Sequence, residues 1–223
     1  MSNPLPPIAP VRIDIVSDVI CPWCFIGKRN LEAALAERPD LPVEVHWRAY
    51  QLNPDMPREG MARADYLKAK FGDVSGGGIY DRVAWAGHQA GIEFAFDAMA
   101  RTPNTVAAHR LIALAGDEGK QDAVVEGLFR AYFLDGRDIG DMDQLAAIAA
   151  AAGLSEPVIA RLATTDASET EVLAEDSIAR QTGVNGVPCF IFDRAFAVSG
   201  AHPPETLVAA IEHALQARVA AAE

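Results

Sequence analysis

The sequence predicts an α/β fold in which the two ends of the chain build one small sheet around a large all-helical insertion. Three observations predict it. Residues 11–48 read as strand, helix, strand. Residues from about 61 to about 165 show helical spacing and no convincing strand. The remainder returns to helix, two short strands and a closing helix.

The first strand rests on alternation. Val11, Ile13 and Ile15 alternate with Arg12 and Asp14, and Val16 follows. One face of that strand is therefore apolar. Residues 25–37 read as a helix with Phe25, Leu31, Ala34 and Leu35 on one side, broken by Pro39-Asp40-Leu41-Pro42. Val43, Val45 and Trp47 alternate with Glu44, His46 and Arg48 to give a second strand. A strand–helix–strand unit strongly favours a parallel pair.

The insertion holds six apolar groups at helical spacing. They begin at Tyr66, Leu67 and Phe71; at Ile79, Val83, Ala86 and Ala90; and at Val106, Ala107, Leu111 and Leu114. They continue at Leu128, Tyr132 and Phe133; at Leu145, Ile148 and Ala149; and at Val158, Ile159 and Leu162. Gly76-Gly77-Gly78, Pro103 and Gly136 punctuate the block. Residues 169–182 then form a helix with Val172, Leu173, Ile178 and Ala179 as apolar positions. After the turn Gly183-Val184-Asn185-Gly186, a strand at 187–192 pairs with 196–199 as a hairpin. Leu207, Val208, Ile211 and Leu215 face inward from a last helix over 204–219. The chain thus divides into a first half-domain at 1–60, a helical insertion at 61–165 and a second half-domain at 166–223. Joined, the two halves make a thioredoxin-like fold.

Composition bounds the function. The 223 residues are 50% hydrophobic and 22% charged, an ordinary globular balance able to bury a core. A formal net charge of −12, scattered along the chain, gives no attraction for phosphate backbones or anionic membrane surfaces. Neither nucleic acid nor membrane is an expected partner. No stretch is long and apolar enough to span a bilayer. Residues 1–7 read as a short lead without the form of a secretory signal, which implies a cytoplasmic protein. Monomer and homodimer are both compatible with the sequence. Three cysteines are too few for a disulfide scaffold, but Cys21 and Cys24 share a C-x-x-C spacing.

The position of that pair carries the chemistry. Between strand and helix, Cys21 falls at the helix N-cap and Pro22 at the first helical position, where proline is favoured. Unpaired N–H groups and the positive end of the helix dipole then face the Cys21 sulfur. Such surroundings favour the thiolate, which is the nucleophile. Cys24, one turn on, can close a disulfide onto Cys21. Cys21 is therefore the expected exposed attacking thiol and Cys24 the buried resolving thiol. Trp23 offers an apolar face to a peptide or thiol partner. The competing reading, half a zinc site, needs four ligands, and neither a second C-x-x-C nor an H-x-x-x-H is present. No metal is expected.

Other residues join the site by argument of position. Pro188 enters a strand although it cannot donate to the ladder. Either the Val187–Pro188 bond is cis, which lets the Val187 backbone pair with an extended substrate, or Pro188 is an ordinary trans turn proline, the better reading of the proline taken alone. Cys189 alternates away from Pro188 and reads as a small buried residue before it reads as a third redox thiol. His109 and Arg110 lie on an insertion helix, either facing a cleft over Cys21 or serving as satisfied structural groups. Asp18, three residues before Cys21, either caps the chain entry or relays protons to Cys24. Trp47, Trp85 and the phenylalanines read as core.

Five motifs, in order, carry a resemblance: Asp18-x-x-Cys21-Pro22-Trp23-Cys24-Phe25-Ile26-Gly27; Gln51-Leu52-Asn53-Pro54-Asp55-Met56-Pro57; Asn104-Thr105-x-x-Ala108-His109-Arg110-Leu111; Gly183-Val184-x-Gly186-Val187-Pro188; and Ser199-Gly200-Ala201. They resemble the DsbA-like family, in particular its cytoplasmic FrnE-like branch, over nearly the whole chain. The resemblance implies a thioredoxin fold with a helical insertion, a cis Pro188, and oxidase- or isomerase-type dithiol–disulfide exchange through Cys21 and Cys24. It implies protein disulfides or thiols, or glutathione, as partners, and no cofactor beyond the cysteine pair. Trp23 stands where the secreted oxidases carry a histidine, which removes a donor to the thiolate and argues against a very strong oxidant. The same superfamily includes glutathione-dependent hydroxychromene-carboxylate isomerases and kappa-class transferases, which implies the alternative function. Those enzymes place a serine where Cys21 stands, and a serine forms no mixed disulfide.

Overall fold

In the computed structural model, which describes residues 9–72, 78 and 80–221, the first strand β1 (Val11–Ser17) runs parallel to β2 (Val43–Ala49) from Val11↔Val43 to Ser17↔Ala49. The helix between them, α1 (Pro22–Glu37), begins at the C-x-x-C. Residues 1–7, Gly76, Gly77 and Ile79 lie outside the described residues.

Six helices follow where the apolar spacing places them: α2 (Arg63–Phe71), α3 (Asp81–Gln89), α4 (Val106–Gly116), α5 (Gln121–Phe133), α6 (Met142–Ala151) and α7 (Glu156–Thr164). The chain returns through α8 (Glu169–Gln181), β5 (Cys189–Phe192) and β6 (Phe196–Ser199), and ends on α9 (Pro204–Ala221). The sheet order is β2-β1-β5-β6, with β5 antiparallel to β1 through Ile13↔Phe192 and Val16↔Cys189. This is a thioredoxin fold carrying a helical insertion.

Three expectations need correction. The block from 61 to 165 does contain strand: β3 (Met61–Ala62) pairs antiparallel with β4 (Arg101–Thr102). Two residues are too short to show alternation. Their close approach uses Gly60, at φ +71°, where a Cβ would stand 2.8 Å from the Thr102 carbonyl oxygen. Trp85 is not core. It is 68% exposed, because α3 buries its Val83–Gly87 side instead. On α8, Leu173 and Ile178 face outward while Asp176 is buried. Asp176 accepts the Gln51 amide at 2.8 Å and Arg180 Nη2 at 2.9 Å, so a polar clamp occupies the inward face.

One core joins the two parts of the chain. Phe25 of α1 stacks on Phe129 of α5 at 5.0 Å between centroids, and Trp47 of β2 meets the same ring edge-on at 6.4 Å. Such pairs add to area burial because ring edges and faces carry opposite partial charge. Lys28, buried on α1, reaches across to Asp122 at 3.1 Å and Glu126 at 3.4 Å on α5. Burial alone would lower its pKa, but Glu32 and Asp122 raise it, so it stays charged. The helix bearing the cysteines is thereby fastened to the insertion.

Candidate active site

Cys21 adopts an extended backbone (φ −90°, ψ 112°) and caps α1, with Pro22 as the first helical residue. Its amide donates to the Asp18 carbonyl at 3.0 Å, which turns the chain from β1 into the helix. The N–H of Cys24 returns to the Cys21 carbonyl at 3.0 Å, closing the first turn. Both thiols are free.

The Cys21 sulfur lies 3.5 Å from the Val187 carbonyl oxygen, 166 residues along the chain. The Val187–Pro188 bond is cis. Cys21 is only 4% exposed, so the expectation of an exposed attacking thiol is corrected: the Val187 backbone lies over it. Pro22, Trp23 and Val187 are half-buried around it, and Pro188 is buried. Gly27 lets α1 approach this loop. A Cβ there would stand 2.9 Å from Pro188 Cγ and 3.2 Å from Phe190 Cζ.

Cys24 is 1% exposed. Desolvation, with help from the neighbouring Cys21, holds its pKa well above that of an ordinary thiol. Ser17 and the Asp18 backbone pull in the other direction without prevailing. The pair is thus asymmetric: Cys24 keeps its proton, while Cys21 sits at the helix N-terminus.

Asp18 is fully buried. Its carboxylate accepts the Leu52 amide at 2.7 Å and faces His109 Nε2 at 3.5 Å. His109, also buried, sets Nε2 3.1 Å from the Tyr50 carbonyl. The 50–52 segment is held from the far side as well. Arg180 stacks on Tyr50, with Cζ 4.3 Å from the ring centroid, and donates to its hydroxyl at 3.1 Å.

Arg110 goes elsewhere. Its guanidinium donates to the carbonyls of Ala167 at 2.9 Å, Leu162 at 3.3 Å and Thr165, at the end of α7. A cleft-facing role over Cys21 is therefore corrected to a helix-terminating one. Cys189 packs with Val16, Tyr50, Ala179 and Val184, in a cluster separate from that holding Cys21 and Cys24. Burial raises its pKa. Two members of the site escaped sequence reasoning: Ser17, an isolated small polar residue at a strand end, and Gly27, whose role depends on a loop distant in sequence.

Residues 12–212 match the DSBA-like thioredoxin domain. The chain belongs to this DsbA-like family. It is similar to a probable DsbA oxidoreductase from Streptomyces coelicolor of known crystal structure. That likeness is 34% in identity, with a TM-score of 0.81 and coverage of 92% of this chain and 89% of the other. It is 26% identical over 182 residues to the uncharacterized protein YwbO of Bacillus subtilis (strain 168), covering 81% of this chain and 86% of that protein. The fold is shared with the cytosolic disulfide reductase DsbM of Pseudomonas aeruginosa, solved with GSH, at 18% identity and a TM-score of 0.65 over 92% of this chain and 99% of that one. Among the described residues no helix is long and apolar enough to cross a membrane, and no group of three or more His, Cys, Asp or Glu could hold a metal ion.

Proposed function

We propose that this DsbA-like chain is a thiol–disulfide oxidoreductase of oxidase or isomerase type, exchanging its Cys21–Cys24 pair with protein or glutathione disulfides and thiols. The observation that carries the reading is the Cys21 sulfur at a helix N-terminus, 3.5 Å from the Val187 backbone, with a protonated, buried Cys24 one turn behind.

The Cys21 thiolate attacks a substrate disulfide; one substrate sulfur leaves as thiolate and a mixed disulfide forms on Cys21. Cys24 then loses its proton and attacks the Cys21 sulfur. The bond between Cys21 and substrate breaks, the second substrate thiolate departs, and two electrons have passed to the substrate. Run backwards, the same steps oxidise a substrate dithiol. An extended substrate is held against the Val187 backbone, with Pro22, Trp23 and Pro188 flanking it.

A cytoplasmic setting and glutathione as co-substrate belong to this proposal, supported by the shared fold with a cytosolic reductase solved with GSH. A thiol at position 21 weighs against glutathione-dependent isomerase chemistry, because it is drawn into mixed disulfides. Intact mass after exposure to oxidised glutathione tests the reading. Cys24→Ser should accumulate one glutathione per chain, and Cys21→Ser none. Insulin reduction by Cys21→Ser at the wild-type rate would overturn it.

A further inference from the structure

Cys24 must release a proton each time the disulfide closes and regain one each time it opens. Its thiol is 1% exposed, and Cys21 in front of it is 4% exposed. A route for the proton is visible behind the pair instead.

Two cavities lie along the seam between the sheet and the insertion. The inner one, about 10 Å³, is bordered by Ser17, Val19 and Val125, and is the size of a single water. The outer one, about 210 Å³ and partly open to solvent, lies between the β2 edge, α4 and α8. His109, Trp47, Arg48 and Ile112 border both cavities, and among these four only His109 has a side chain that readily takes up and gives back a proton.

Ser17 borders the inner cavity and is the neighbouring side chain that favours the Cys24 thiolate. Its hydroxyl is buried and has no hydrogen-bond partner of ordinary geometry among the described residues. His109 is fixed at its other nitrogen. Nε2 faces the Tyr50 carbonyl, which only accepts, at 3.1 Å, and lies 3.5 Å from the Asp18 side chain. Nε2 therefore carries the hydrogen, which leaves Nδ1 of the neutral ring as the acceptor.

We propose that His109 is the proton carrier of Cys24, exchanging protons with the thiol by way of Ser17 and the inner cavity, and with solvent by way of the outer one. Asp18 is the positioning residue that holds the ring. The inference rests on the oxidoreductase reading above. As the mixed disulfide resolves, the Cys24 proton passes to His109, the Cys24 sulfur bonds to Cys21, and the substrate thiolate leaves. On opening, the Cys24 thiolate recovers its proton from the imidazolium. The charged and titratable groups facing His109 are Asp18 and, across the outer cavity, His46, Arg48, Asp117, Glu171 and Glu175. Arg48 is paired with Asp14 at 2.8 Å and Glu175 at 2.7 Å, and Asp117 with Arg161 at 3.6 Å.

Rapid-quench mass analysis with oxidised glutathione as probe separates the two steps. Formation of the glutathione adduct reports Cys21, and its disappearance reports Cys24. His109→Gln, whose amide can still donate to the Tyr50 carbonyl, should slow the second step by roughly 100-fold near neutral pH, the low end for a lost acid–base group. The first step should be unchanged, the deficit should shrink as pH rises, and added imidazole should restore part of the rate. An unchanged second step overturns the proposal, as does equal slowing of both steps at every pH without imidazole rescue. Should His109→Gln unfold, Ser17→Ala decides: it must slow the second step alone, and an unchanged second step overturns the proposal. A wild-type chain that never forms the adduct overturns the oxidoreductase reading too. A wild type that completes both steps alongside an equally fast variant overturns only the proton path.

Discussion

Alanine at Gly27 sets two effects of known size against each other. Glycine in a helix interior is worse than alanine by about 1 kcal/mol, so Gly27→Ala should stabilise α1 if nothing else changed. The added Cβ, however, would stand 2.9 Å from Pro188 Cγ, 3.2 Å from Phe190 Cζ and 3.5 Å from Pro188 Cβ. None of these neighbours yields easily. Pro188 is a ring whose carbonyl is bonded to the Gly200 amide at 2.8 Å, and Phe190 is fully buried. Overpacking at such sites costs about 1–3 kcal/mol, so the clash wins and the variant loses roughly 1 kcal/mol net. The displaced Pro188 also draws the Val187 carbonyl away from Cys21, so alkylation of Cys21 by iodoacetamide should change rate together with the urea midpoint. A Gly27→Ala protein more stable than wild type by about 1 kcal/mol would refute the close packing of α1 on the Pro188 loop.

Two further outcomes follow from named groups. Desolvation by burial, aided by Cys21, raises the Cys24 pKa above its ordinary 9.0, so the unfolded chain releases this proton first. Stability of the reduced protein is then full below about pH 9 and falls as pH climbs toward the folded value, by about 1.4 kcal/mol at pH 10. The oxidised protein has no Cys24 thiol, and its urea midpoint should not share that loss; parallel midpoints from about pH 8 to pH 10 would contradict the buried, protonated state. Arg110→Ala strips three carbonyls at the end of α7 of their donor and should cost about 2–4 kcal/mol in urea unfolding, with the rate of glutathione adduct formation on Cys21 unaltered. A slower adduct in a folded Arg110→Ala protein would return that side chain to the cleft.

Legibility in the sequence followed the range of the interaction. Strand β1, helix α1 and strand β2 were readable because alternation at Val11, Ile13 and Ile15, a proline after Cys21 and the Pro39–Pro42 break are local signals. The insertion helices were readable for the same reason. Trp85 misled because hydrophobicity alone does not say which face of α3 meets a neighbour, and Val83 and Gly87 took that face. Leu173 and Ile178 misled on α8 because the inward face went to Asp176: a carboxylate is buried where a backbone amide and an arginine meet it, and contacts of that kind are invisible to periodicity. The site divides likewise. Cys21 and Cys24 announced themselves by spacing and by the strand before them. The cover over Cys21 comes from Val187, 166 residues away, so its burial could not be read. Neighbours in sequence, His109 and Arg110 part company in space, one toward Asp18 and one toward α7.

The proposed function requires Cys21 and Cys24 to act as one two-electron couple. Equilibrating the protein in glutathione buffers of graded ratio, then acid-quenching and counting free thiols by mass, tests it directly. Cys21 and Cys24 should disappear together into an intramolecular disulfide while Cys189 stays reduced, with a tenfold change in the dithiol/disulfide ratio for each ~30 mV of buffer potential. A pair that stays fully reduced across the range, or a Cys21 that stops at the glutathione adduct with Cys24 intact, would contradict it.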